Sequence, residues 1–79
     1  MIKPPTFYGD KVGEDAKSWL LGIKEYLQIH DYDDNMEYHI AIYHLQGKAF
    51  IWWQQLKKVK HIDERQISFR RFMKYFKQN

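Results

Sequence analysis

Apolar residues recur along this chain mostly at the three- and four-residue intervals of a helix, separated by short polar stretches. The first run is Trp19, Leu20, Ile23, Tyr26, Leu27 and His30. It predicts a helix opening at about Glu14 or Asp15, whose carboxylates suit the positive end of the helix dipole. Gly22 interrupts that run; it weakens a helix by ~1 kcal/mol relative to alanine and so marks a close neighbour. Asp31-Tyr32-Asp33-Asp34-Asn35 reads as a turn offering several helix caps. A second helix is expected to place Met36, Ile40, Ala41, His44 and Leu45 on one face and to stop at Gly47.

The third helix is predicted from about Lys48 to Val59, with Ala49, Trp52, Trp53 and Leu56 as its stripe. Lys57 to Gln66 is charged and aperiodic, hence a loop. Ser68 can then cap a last helix carrying Phe69, Phe72, Met73 and Phe76. Ahead of the helices, residues 1–13 hold Pro4-Pro5 and two glycines and should be extended, with Thr6-Phe7-Tyr8 as a short β-prone stretch. The expected architecture is a single all-α domain over residues 14–79, a small four- to five-helix bundle preceded by an extended N-terminal segment over residues 1–13.

The candidate core is Trp19, Leu20, Ile23, Leu27, Leu45, Ala49, Trp52, Leu56, Phe69 and Phe72. Neighbours on a helix point ~100° apart, so the adjacent tryptophans need separate places. Trp52, one turn after the small Ala49, is assigned to the core, where truncation to alanine should cost roughly 3–5 kcal/mol. Trp53 is assigned to the core margin or a partner contact.

Composition narrows the class. A chain of 79 residues buries only roughly 60–65% of its unfolded surface, and the 18% aromatic content helps to fill so small a core. There is no Cys, which removes disulfides and thiol chemistry and fits a cytoplasmic protein. No apolar run approaches the ~18 residues of a membrane span. The net charge of +3 is unevenly spread, with a balance of −4 over residues 1–40 and +7 over residues 41–79. Such polarity can orient like subunits head to tail or attract a polyanion, although two solvated faces would produce it too.

Candidate chemistry is thin. Asp31-x-Asp33-x-Asn35 matches the first three ligands of an EF-hand loop, but Met36 occupies the turn glycine and Ile42 the bidentate glutamate. A helix cap explains it better. His39 and His44 are five apart rather than the four that put zinc ligands on one face. There is no nucleophile elbow and no phosphate-binding glycine loop. The reading is a non-enzyme without catalytic residues, metal or cofactor. Arg70, Arg71, Lys74 and Lys77 alternate with Phe69, Phe72, Tyr75 and Phe76, a pattern that can stack bases and neutralise phosphates. At helical spacing it reads more simply as core plus solvated face. Lys57, Lys58 and Lys60 would join Arg70, Arg71 and Lys74 in any RNA contact.

Five stretches carry a family resemblance: Phe7-Tyr8-Gly9, Ser18-Trp19-Leu20, Leu45-Gln46-Gly47-Lys48-Ala49, Trp52-Trp53 and Ser68-Phe69-x-x-Phe72. In this order the chain resembles the gag capsid region of gypsy-type long-terminal-repeat retrotransposons. The resemblance implies the N-terminal lobe of a capsid protein, an all-α unit whose partners are other capsid subunits in particle assembly. Members usually continue into a second helical lobe, which assembly is expected to need, and often into a Cys/His knuckle that binds RNA. Without the knuckle, the resemblance argues against RNA binding by these residues.

Glu25-Tyr26-Leu27 and His44-x-x-Gly47-x-Ala49-x-x-Trp52-Trp53 are similar to the N-lobe of the activity-regulated cytoskeleton-associated protein, a domesticated gag that captures short extended peptides. That similarity implies a strand edge at Thr6, Phe7 and Tyr8 and a pocket lined by Tyr26, His44 and Phe76, with Trp53 a further partner-contact candidate. Alternatively, residues 1–8 fold over and plug the groove themselves.

Overall fold

The computed structural model describes residues 4–9 and 16–78. Four helices follow one another: α1 (Ala16–Leu27), α2 (Asp34–Tyr43), α3 (Gly47–Lys60) and α4 (Phe69–Lys77). The described part is all-α, as expected. The predicted helix start at Glu14 or Asp15, and the remainder of the extended segment, lie outside the described residues.

Helix α1 buries Trp19, Leu20, Ile23 and Leu27 and ends there. His30, placed on the same stripe by spacing, falls beyond the helix and is exposed. Asp33 caps α2, its carboxylate accepting the Met36 N–H at 2.7 Å. Asn35 has a different task. Its amide donates to the carbonyls of Glu64 (3.0 Å) and Ile67 (2.7 Å), tying the start of α2 to the loop before α4.

The face predicted for α2 is rotated in the structure. Tyr38 and Ala41 are its buried residues, while Met36 is 49% exposed. The helix also ends at Tyr43 rather than at Gly47. His44 makes a turn, Leu45 and Gln46 follow as an extended link, and Gly47 opens α3 with φ +60°, a conformation that side chains other than glycine's resist. The reason is a pairing partner that local sequence does not reveal: Leu45 forms a parallel bridge with Phe7.

Helix α3 runs past its predicted end to Lys60, so the expected loop begins at His61, in a left-handed conformation that closes the helix. Lys57, Lys58 and Lys60 favour this last turn by facing the negative end of the helix dipole. The following loop folds on Asp63, whose backbone carbonyl accepts the N–H groups of Gln66 and Ile67. Ser68 caps α4 by accepting the Arg71 N–H at 3.1 Å.

Helix α4 is the hub. Phe72, fully buried, meets the rings of Trp19 from α1 (6.5 Å), Tyr38 from α2 (6.1 Å) and Trp53 from α3 (4.8 Å). Trp53 is also fully buried, whereas Trp52 and Leu56 are only partly so. The assignment of the two tryptophans is therefore reversed. Ala49 precedes Trp52 by three residues and Trp53 by four, and both intervals share a helix face. What places Trp53 inside is a hydrogen-bond acceptor: its indole N–H donates to the Tyr38 hydroxyl at 2.8 Å. The other members of the candidate core are buried.

Candidate functional site

Residues 4–9 lie across the helices as a strap, fastened at four points. Pro5 packs on α1 at Gly22, where an added Cβ would come within 2.9 Å of its ring. The Pro5 carbonyl accepts the Trp19 indole N–H at 2.9 Å. Phe7 then donates its N–H to the His44 carbonyl (2.9 Å) and accepts the Gln46 N–H (2.8 Å). Finally, the Tyr8 carbonyl accepts the Ala49 N–H at 2.9 Å. Gln46 makes no side-chain cap for α3, so a carbonyl from the far end of the chain does what an N-cap side chain ordinarily does.

Gly9 ends the strap with φ +73°, and its missing side chain matters twice. The backbone angle disfavours other residues, and a Cβ there would lie 2.9 Å from that of Ala49. Phe7 is thereby seated between Trp19 and Phe76, ring centroids 5.6 Å from each, and is only 9% exposed.

The sequence-predicted site residues divide accordingly. Phe7, Phe76 and the backbone of His44 come together, and Thr6 and Tyr8 flank them, Thr6 partly buried and Tyr8 42% exposed. Tyr26 packs on the core from α1 and lines none of the hollows described below. Trp53 is sealed in the core and is unavailable to a partner. The His44 ring rests 5.1 Å from that of Tyr43, and partial burial holds its pKa below the usual imidazole range.

Beside Phe7 a hollow of about 200 Å³ is left between the strap, α3 and α4, lined also by Lys48, Ala49, Trp52 and Phe76. A second of about 190 Å³ continues it past Trp52 to Leu56, Lys60, Tyr75 and Gln78. A third, of about 540 Å³, lies where α2 meets α3, among His39, Ile42, Tyr43 and Phe50. Sequence reasoning missed Trp52, Lys48 and Tyr43 as surface residues. The Trp-Trp pair signalled that the two rings need different places, and the spacing from Ala49 picked Trp52 for the core where the structure buries Trp53.

A polar chain links α3, α2 and the loop before α4. From Trp53 it runs to the Tyr38 hydroxyl, which approaches Glu64 at 3.5 Å, and Glu64 pairs with Lys57. Burial raises the Tyr38 pKa, and the same cause lowers that of Lys57. Among the described residues no group of three or more His, Asp or Glu side chains could hold a metal ion, and no helix is long and apolar enough to cross a membrane.

Residues 1–79 match the family model of the N-terminal capsid-like domain of the retrotransposon-derived protein PEG10. No curated protein and no solved structure gives a significant match. Since the family model covers the four helices together with the strap that caps the third, the chain belongs to the family of retrotransposon-derived gag capsid N-terminal domains.

Proposed function

We propose that this domain is a structural assembly module, making protein–protein contacts with other capsid subunits rather than performing chemistry. The observation that carries this reading is the apolar surface at the junction of α2 and α3. Tyr43, 75% exposed, and Phe50, 37% exposed, line the largest hollow described above, and Ile51, next to Phe50 in the chain, is 56% exposed. Large apolar side chains gathered at a surface mark an interaction site more often than they serve stability. Light scattering of this domain joined to a second helical lobe, over a concentration series at several salt levels, tests the reading. Concentration-dependent association is expected; none under any condition refutes it.

A second reading, a peptide-binding adaptor lobe, is supported by the strap. Both backbone hydrogen-bonding groups of Phe7 are engaged by residues 44 and 46, so an added peptide strand would pair along the opposite edge, at Thr6. The hollow beside Phe7 and Trp52 would then take a side chain of the peptide. NMR titration with proline- and aromatic-containing peptides should shift Thr6, Phe7, Trp52 and Phe76. An unresponsive strap removes this reading.

A further inference from the structure

Helices α3 and α4 carry no acidic residue, and among the described residues only Lys57 of their cations is ion-paired. Two hollows flank Trp52, one beside the strap and one between α3 and α4, and together they make a groove along its ring. Its floor is Trp52, Leu56 and Tyr75, with Lys48 at one end and Lys60 at the other. The Arg71 guanidinium stands 6.0 Å from the centre of the Tyr75 ring and reaches its hydroxyl at 3.5 Å. Among the described residues no carboxylate lines either hollow. Trp52 and Tyr75 are partly buried, and tryptophan, tyrosine and arginine are the side chains that dominate binding energy at protein interfaces.

The complementary surface is on the same molecule. The turn between α1 and α2 and the first turn of α2 carry Asp31, Asp33, Asp34 and Glu37, none of them ion-paired among the described residues. Burial and repulsion from Asp34 and Asp33 raise the Glu37 pKa. Two apolar side chains stand among these acids, Ile29 (56% exposed) and Met36 (49% exposed). Asp34 and Glu37 border a hollow with Lys24, Phe69 and Arg70 at the start of α4, whereas the groove reaches Tyr75 and Gln78 at its end. A nine-residue helix is about 13 Å long, so one copy cannot bring the two surfaces together.

We propose that the Trp52 groove of one copy receives the acidic corner, residues 29–37, of the next, giving a head-to-tail contact. The proposal rests on the assembly reading and adds a contact separate from the α2–α3 surface. Ile29 and Met36 cover Trp52 and Tyr75, while Asp31, Asp34 and Glu37 face Lys48, Lys60 and Arg71. Such a contact joins two different patches, so it propagates, and the rotation between copies decides whether it closes into a ring.

The test is a charge swap followed by sedimentation. One variant carries Lys48→Glu, Lys60→Glu and Arg71→Glu; the other carries Asp31→Lys and Glu37→Lys. All five positions lie outside the buried core, and circular dichroism checks each fold. Each variant alone should associate at least ~10-fold more weakly than the native chain, and the two mixed should recover association, because each reversed surface now finds its complement. Native association should also weaken as salt rises from about 0.05 M to about 0.5 M. Reversed variants that associate like the native chain overturn this contact and leave the assembly reading standing. A native chain that never associates, or whose groove takes single-stranded RNA instead, also overturns this contact, and the assembly reading itself falls only if the two-lobe protein fails to associate as well.

Discussion

The two faces of α3 that carry Trp52 and Trp53 are built from similar side chains and end in opposite roles. On the Trp53 side the indole is closed in by Tyr38, Phe72 and Tyr75, and its N–H has a partner. On the Trp52 side the ring leans on Phe76 at 5.9 Å but keeps one face on an open groove. The difference lies in what faces each ring. Trp53 meets a helix with a hydroxyl at the right height; Trp52 meets the end of the strap and the last turn of α4, which leave space. An aromatic residue becomes core or surface according to whether its polar edge and both its faces are provided for.

The largest test of this contrast is Trp53→Ala, which should cost about 3–5 kcal/mol and leave little folded protein at physiological temperature. Next, Gly9→Ala should cost about 2–3 kcal/mol, from its left-handed backbone and the approach to Ala49, and should loosen the strap. Trp52→Ala should cost about 2 kcal/mol, clearly less than its neighbour. Denaturant melts of these variants rank them; a Trp52 variant as damaging as the Trp53 variant would abolish the contrast.

Smaller still, Tyr38→Phe should cost about 1–2 kcal/mol by leaving the Trp53 N–H buried without an acceptor. Hydrogen exchange at that indole should quicken while exchange at Trp19, held by Pro5, does not. The finest test is pH. His44 is partly buried with a depressed pKa, so the unfolded chain binds this proton more readily than the folded one. Its contribution to stability is complete above the ordinary histidine value of about 6.5 and is lost as pH falls below it toward the folded value. Replacing His44 with Gln should flatten the stability profile in that window. Identical slopes for the two proteins would show that His44 does not titrate in this way.

Much of the fold was legible because it depends on local rules. Ser68 before the Phe69, Phe72, Phe76 stripe marked α4 and its cap correctly, since both signals are read within one or two turns. Gly22 announced a close neighbour, though not that it would be Pro5. The candidate site was legible only in part. Phe7 and Phe76 do meet, whereas Tyr26 and Trp53 lie elsewhere, and the groove wall at Trp52, Lys48 and Tyr75 was not anticipated. Spacing along a helix specifies a face to within about one residue, and Ala49 accommodates either tryptophan. The end of α2 was misread for a related reason. Gly47 looks like a helix stop in isolation, but Phe7 and Tyr8 reach residues 44–49 from some 40 positions away.

The sequence alone determined the helical class, the order of elements, the cap of α4, the separation of charge and the family. Each is set by residues close together or by composition. The tertiary structure decided which tryptophan is buried, how an uncapped α3 acquires its cap, and where a groove remains. Those outcomes turn on a hydroxyl of Tyr38 and a carbonyl of Tyr8, groups whose partners become neighbours only once the chain has folded.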